Sequence, residues 1–319
     1  MSSRAEERQA FLAAAGYGDC PLAALPSDAS ERTYHRLQQT NEQALLLMDA
    51  PPDKPLGTPE FVTLSEMLLE KGIVAPKVIA KDLEQGFLLI TDLGNQTAKA
   101  HLDAHPEDEI AVYQALTDLL LVSETIAASD LPVLDAEEAG IALSITAEFY
   151  LSDPKLTRPL ADLMTQTYEQ FCAANYTFAL RDYHVENAIW RPDRADLDRI
   201  GVLDFQDAVL APKGYDLVSL LRDARRDVSD DLAKAMTARY VADHNLGAEF
   251  QAQFHCLALQ RNMKILGIFA RLAMNPQKTR YLQFQPRVLR MVHEDTDRLG
   301  WAPMTEFIRT HFPLDALSK

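Results

Sequence analysis

Apolar positions change their spacing several times along the chain, and each change marks an expected element. Ser3 and Glu6 have capping-box spacing ahead of an Ala-rich run that stops near Gly16, which predicts a first helix. Residues 34–37 and 43–48 read as two short strands around a turn at Thr40-Asn41, ended by Pro51, Pro52 and Pro55. The next helix takes Thr58 as N-cap and Pro59 as its first residue, carries Phe61, Leu64, Met67 and Leu68 on one face, and stops before Gly72. Residues 77–81 and 86–91 form a hairpin pair. The order helix, strand, strand, helix, strand, strand describes a small mixed N-lobe over residues 1–92.

Asp92-Leu93-Gly94-Asn95 reads as a linker, after which helical spacing dominates. A long helix is expected from Pro106 to about Ala128, with Ile110, Tyr113, Leu116 and Leu120 on its apolar face and Glu107 and Asp108 in its first turn. Another helix covers 157–174. Two strand-like pieces, 188–190 and 200–205, flank the polar turn 192–199, and helices return from Tyr215, with a strongly apolar stretch over 250–274. There are no internal repeats. The expected fold class is α+β in two lobes, the second being a larger, mostly helical C-lobe over residues 93–319.

Charge and cysteine content narrow the function classes. With 31 Lys+Arg against 47 Asp+Glu among 319 residues, the net charge of −16 argues against nucleic-acid or anionic-membrane partners. Cys20, Cys172 and Cys256 are odd in number and far apart, and read as reduced, mostly buried thiols rather than a disulfide framework or zinc site. No apolar run approaches the ~20 residues of a membrane span, and the charged N-terminus is unlike a secretory signal, so the expected location is cytoplasmic. His101 and His105 are read as surface polar residues, not metal ligands.

The chemistry concentrates in Arg181-Asp182-Tyr183-His184-Val185-Glu186-Asn187 and Val202-Leu203-Asp204-Phe205. Glycine-rich P-loops, dinucleotide fingerprints, zincin motifs and nucleophile elbows are all absent. Phosphoryl transfer to a hydroxyl needs a carboxylate that orients the hydroxyl and takes its proton, and oxygen ligands for a Mg²⁺ ion that bridges ATP phosphates. An Asp, an Asn five residues on, and an Asp at the end of a neighbouring strand supply those groups. The alternative is a polar turn with solvated acids.

These residues resemble the aminoglycoside-phosphotransferase and choline-kinase branch of the protein-kinase-like superfamily, which reads His-x-Asp-x-His-x-x-Asn and then Asp. Asp182, His184, Asn187 and Asp204 match, while Leu180 replaces the first His. The resemblance implies a two-lobed kinase fold with an ATP site between the lobes, Asp182 as catalytic base, Asn187 and Asp204 as Mg²⁺ ligands, and Asp216 of Gly214-Tyr215-Asp216-Leu217 as a brace on the catalytic loop. Residues 27–36, Ser-Asp-Ala-Ser-Glu-Arg-Thr-Tyr-His-Arg, resemble the nucleotide loop of bacterial kinases that phosphorylate N-acetylmuramate and N-acetylglucosamine at the anomeric hydroxyl. Met48-Asp49-Ala50-Pro51-Pro52, residues 88–94 and residues 260–272 resemble the same group.

By that resemblance Asp28, Ser30, Arg32 and Arg36 contact the nucleotide, a small sugar is the substrate, and the product passes to a sugar-1-phosphate nucleotidyltransferase in cell-wall recycling. Ser27 stands where relatives often have Gly, and Met48 where kinases place the strand Lys that holds the phosphates, so Arg32 or Arg36 is the expected replacement cation; the alternative is a solvated Arg on a strand face. Arg261 and Lys264 are neighbours on an otherwise apolar helix, where burial without partners would cost several kcal/mol each. They either meet a substrate carboxylate or pair with Asp207, Asp216 or Asp223. His184 and Asp207 are further substrate candidates. Two other functions stay open: a kinase of an aminoglycoside or choline-like amino alcohol, and a nucleotide-binding pseudokinase, which Met48 would suit.

Overall fold

The computed structural model describes residues 3–26, 32–38, 44–52 and 57–314. In chain order the elements are α1 (Arg4–Ala14), β1 (Leu22–Ala24), β2 (Thr33–Leu37), β3 (Leu45–Asp49), α2 (Thr58–Glu70), β4 (Val78–Asp82), β5 (Phe87–Thr91), α3 (Ala98–Ala104) and α4 (Glu109–Ser123). They continue with α5 (Ala136–Ile141), α6 (Thr157–Phe171), β6 (Tyr176–Ala179), β7 (Ala188–Trp190), β8 (Ile200–Val202), β9 (Val209–Pro212), α7 (Tyr215–Leu221), α8 (Asp230–Asp243), α9 (Phe250–Ala273), α10 (Gln285–Leu299) and α11 (Ala302–His311). Contacts group the chain into two compact units: Met1–Ile126 with Val185–Ala208, and Ala127–His184 with Val209–Lys319.

The first unit is built on an antiparallel sheet in the order β1-β2-β3-β5-β4. The three-residue β1 escapes the sequence pattern because it is too short to show alternation. Helix α1 begins at the expected capping box: the Ser3 hydroxyl accepts the Glu6 N–H, and the Ser3 N–H donates to the Glu6 carboxylate at 2.7 Å. It packs on the sheet through Leu12, which joins Leu37, Leu45, Leu47, Phe87 and Leu89 in one buried cluster, and through Phe11 stacked on Phe87. Two arginines of α1 hold the buried Asp49 at the end of β3, Arg4 at 2.6 Å and Arg8 at 3.4 Å.

Helix α2 starts one residue away from the expected cap. Gly57, left-handed at φ +64°, is the N-cap, and Thr58 is already helical, with no side-chain capping bond at this end. Its other end is as expected. Gly72 at φ +77° lets its N–H reach the Leu69 carbonyl and that of Ile73 reach the Leu68 carbonyl, the paired bonds of a Schellman motif.

Two expectations after β5 need correction. Helix α3 follows the residues read as a linker, and His101 on it, read as a surface residue, is buried: its Nε2 lies 2.8 Å from the Asp108 carboxylate and its ring packs on Trp190. A neighbouring acid and an indole make a core place for an imidazole; His105 is exposed, as read. The helix expected from Pro106 opens as a 3₁₀ turn, becomes α only at Glu109 and ends at Ser123, and Ile110 in its first turn is 61% exposed. The apolar face begins at Val112 and Tyr113 instead.

The second unit is mostly helical around the 24-residue α9. Strands β6 and β9 pair antiparallel from Tyr176↔Pro212 to Ala179↔Val209, a pairing the sequence spacing did not indicate. Gly267 lets α9 pass against the backbone of residues 145–146, where a Cβ would lie 2.6 Å from the Thr146 nitrogen, and the Thr146 hydroxyl donates to the Met263 carbonyl. A buried ionic knot ties α7, α9 and α10: Arg222 bonds Asp295 at 2.9 Å and Glu294 at 3.0 Å, and His255 lies 2.9 Å from the other Asp295 oxygen. Cys256 is buried, Cys20 and Cys172 are partly so, and all three are free. Among the described residues no helix is long and apolar enough to cross a membrane.

Candidate active site

In the first unit the β7–β8 hairpin carries two of the expected side chains to its open end. The Leu203 N–H donates to the Asn187 carbonyl at 2.8 Å, which sets Asp204 one residue from the strand partner of Asn187. Asp204 is exposed and left-handed at φ +57°, a conformation short polar residues tolerate better than most. The turn is held on both sides: Phe205 is buried against Phe61 of α2, and the buried Gln206 amide donates to Asp204 Oδ1 at 2.8 Å and to Asp207 Oδ2 at 3.3 Å. Gln206 was not singled out from the sequence, where an uncharged amide between acids carries no signal.

The two candidate phosphate cations have different surroundings. Arg32 is buried and hydrogen-bonds the Tyr34 hydroxyl, and burial pushes that phenol above its ordinary range although Arg32 opposes the shift. A Cβ on Gly57 would sit 3.6 Å from both the Arg32 guanidinium and Gln206, so Arg32 lies beside the Asp204 turn. Arg36 instead bonds Asp92, and donates to Asn95 Oδ1 at 2.7 Å. Met48 is fully buried, with Tyr34 and Leu88 as its strand partners. Asp28 and Ser30 lie outside the described residues.

In the second unit the chain leaves β6 through a tight turn. The Asp182 N–H donates to the Leu180 carbonyl at 2.9 Å around Arg181, which is held at φ +73°, a γ-turn arrangement rare for a residue with a side chain. Asp216, in the first turn of α7 and 1% exposed, accepts the Leu180 N–H at 2.6 Å and the Arg181 N–H at 2.9 Å. Its carboxylate thus holds the backbone that presents Asp182.

The Asp182 side chain is half-exposed and surrounded by cations. Arg261 reaches Asp182 Oδ1 at 3.3 Å, and His184 Nε2 lies 3.9 Å from the same oxygen. Burial alone would raise the Asp182 pKa, but His184 when protonated and the guanidiniums of Arg261, Arg225 and Arg181 outweigh it and hold the carboxyl below its usual range. Burial in turn pushes His184 below the ordinary imidazole value, against the pull of Asp223 and Asp182. Arg261 therefore pairs with Asp182, an acid not among the partners considered for it from the sequence. Lys264 is half-buried one turn further along α9.

Arg225 and Asp223 were not named as site residues from the sequence. The Arg225 guanidinium lies 3.4 Å from His184 Nε2, and its backbone N–H donates to Asp223 Oδ1. In sequence they belong to the run Arg222-Asp223-Ala224-Arg225-Arg226, which reads as an ordinary solvated charge cluster.

A model of the phosphotransferase enzyme family matches residues 21–250, well over half of the chain. The chain belongs to this family. The phosphotransferase is 34% identical to the N-acetylmuramate/N-acetylglucosamine kinase of Caulobacter vibrioides, over 90% of its own length and 91% of the relative's. Its fold is the two-lobed, α+β, protein-kinase-like fold. It matches a choline/ethanolamine kinase family protein from Mesorhizobium loti with a TM-score of 0.64 at 13% identity, over 95% of this chain and 99% of that one. It also matches a thermostable aminoglycoside phosphotransferase variant solved with ADP and hygromycin B, with a TM-score of 0.62 at 10% identity, over 89% and 97% of the two chains. The resemblance stated from the motifs and the family match agree.

Proposed function

We propose that this phosphotransferase is an ATP- and Mg²⁺-dependent kinase of a free amino sugar, N-acetylmuramate, N-acetylglucosamine or both, acting at the anomeric hydroxyl. The observation that carries the reading is Asp182: a carboxylate on a strained turn, fixed by Asp216 and kept ionised by neighbouring guanidiniums. The name of the Caulobacter vibrioides relative, similar over nearly the whole chain, supports the sugar.

In this reading Asp182 orients the anomeric hydroxyl and takes its proton as the sugar oxygen bonds to the γ-phosphorus and the bond to the ADP oxygen breaks. Asn187 and Asp204 are the residues that would hold Mg²⁺. One carboxylate and one amide oxygen suit an ion that fills its remaining positions with phosphate oxygens and water, and Gln206 orients the carboxylate from behind. When bound, the ion neutralises charge on the phosphates. Arg32, beside the same turn, would serve phosphates in place of the missing strand Lys. Arg36, tied to Asp92 and Asn95, is better suited to fixing β2. Most of the catalytic effect is positioning and electrostatics. The sugar 1-phosphate would then suit a nucleotidyltransferase, consistent with cell-wall sugar recycling in the cytoplasm.

The test is a coupled measurement of ADP release with N-acetylmuramate, N-acetylglucosamine, choline and kanamycin as acceptors. Turnover of an amino sugar, lowered about 10²–10⁴-fold in Asp182→Asn, is expected. ADP release only with choline or kanamycin, or with no acceptor at all, refutes the reading in favour of another small-molecule kinase or of a pseudokinase.

A further inference from the structure

We propose that Cys172 and Cys256 are a reversible oxidation site, where a peroxide joins the two thiols in a disulfide that staples the end of α6 to α9. The two cysteines are far apart in sequence, and both belong to the second unit, whereas Cys20 belongs to the first. Helices α6 and α9 bring them together. Cys172 directly follows α6, and its N–H donates to the Tyr168 carbonyl at 2.8 Å. The Cys256 thiol on α9 donates to the carbonyl of Thr167, the residue next to Tyr168, at 3.7 Å. One residue past Cys172, the Ala173 N–H donates to the side-chain oxygen of Gln253 at 2.8 Å, and Gln253 stands about one turn before Cys256 on α9. The two thiols are within hydrogen-bond reach of each other. A disulfide needs its sulfurs about 2 Å apart, so thiols already in contact can close it by side-chain rotation and a small shift of residues 172–175, which belong to no helix or strand.

The two thiols have different roles. Cys172 is partly exposed and meets the oxidant first. Burial pushes the Cys256 thiol above its ordinary range, so it stays protonated and acts as the resolving thiol. The Cys172 thiolate attacks one peroxide oxygen, the O–O bond breaks, and hydroxide leaves and takes up the proton that Cys172 gave up. The product is a sulfenic acid. The Cys256 sulfur then attacks the sulfenic sulfur, the S–O bond breaks, and the hydroxyl departs as water with the Cys256 proton. Two thiols and one hydrogen peroxide give one disulfide and two waters, the thiols losing the two electrons that the peroxide gains. The loop so closed carries Asp182, Asn187, Asp204 and Asp216. A cross-link constrains the unfolded chain more the longer its loop, so oxidation stabilises the folded state of the segment that holds the whole motif.

The test treats purified wild-type protein with hydrogen peroxide, unfolds it, alkylates the remaining thiols, and reads the intact mass and the proteolytic peptides. The expected result is loss of two hydrogens, a peptide pair linked through Cys172 and Cys256, and alkylation at Cys20 alone, with all three thiols restored by dithiothreitol. Calorimetry should show a melting temperature several degrees higher in the oxidised wild type, and no such rise in Cys172→Ser given the same peroxide. Three alkylated cysteines after peroxide, or oxygen added at Cys172 with no link to Cys256, overturn the proposal, and this arm needs no variant to fold. A linked protein that melts no higher than the reduced one overturns the staple. No sugar or nucleotide enters either measurement, so the result is independent of the sugar-kinase reading.

Discussion

Replacing Asp216 by Asn asks whether the turn that presents Asp182 depends on one buried carboxylate. Two N–H groups, of Leu180 and Arg181, now donate to that carboxylate at 2.6 and 2.9 Å. Hydrogen bonds to a charged acceptor contribute roughly 1.5–3 kcal/mol each, so the pair is worth about 3–6 kcal/mol. Asparagine keeps one acceptor at neutral strength, roughly 1 kcal/mol, and turns its own amide N–H toward the second donor, so about 2–5 kcal/mol is lost. Arg181 holds a left-handed conformation that costs a non-glycine residue roughly 1–2 kcal/mol, and weakening its anchor favours relaxation of the turn. The carboxylate of Asp182 then moves, and a displacement of about 1 Å is enough to lower a rate on the order of 100-fold. Urea unfolding of Asp216→Asn should show lower stability, and steady-state kinetics at saturating ATP should show kcat falling far more than KM changes. A folded Asp216→Asn protein with kcat within about twofold of wild type would refute the argument, because it would mean the turn holds itself.

Three further outcomes follow from particular contacts. Arg261 favours the ionised form of Asp182, so Arg261→Gln should raise the Asp182 pKa and move the acid limb of the kcat/KM profile to higher pH; an unmoved limb would show that this cation does not tune the base. Arg222→Met leaves the fully buried Asp295 without its guanidinium and should cost about 3–5 kcal/mol in urea unfolding, whereas a loss below about 1 kcal/mol would contradict the knot's structural role. Gly267→Ala gains roughly 1 kcal/mol of helix propensity but drives a Cβ into the backbone at Thr146, so a net loss of about 1–3 kcal/mol is expected and a raised melting temperature would be the contrary result.

Much of the fold was legible where local chemistry decides it. The Ser3–Glu6 box, the strands over 34–37 and 86–91 and the stop at Gly72 depend on neighbours a few residues away, and each is where its spacing indicates. What escaped depends on distant partners. The β6–β9 pairing joins residues 30 to 36 positions apart, so nothing local announces it. His101 looks like a surface residue until Asp108 and Trp190 close around it. Asp182, Asn187 and Asp204 stand out in the sequence because their spacing and flanking apolar strands are unusual together, and Asp216 is singled out by the family resemblance. Arg225 and Gln206 carry no such signal, since their significance lies in which side chains they touch: His184 in one case, Asp204 and Asp207 in the other.

The central claim is phosphoryl transfer from ATP to the anomeric oxygen of a free amino sugar. Phosphorus and proton NMR of the product made from N-acetylmuramate or N-acetylglucosamine with Mg-ATP tests it most directly. The account predicts a new phosphate resonance coupled to the sugar H1. A phosphate coupled to the C6 protons, or ATP left unchanged beside either sugar, would contradict it.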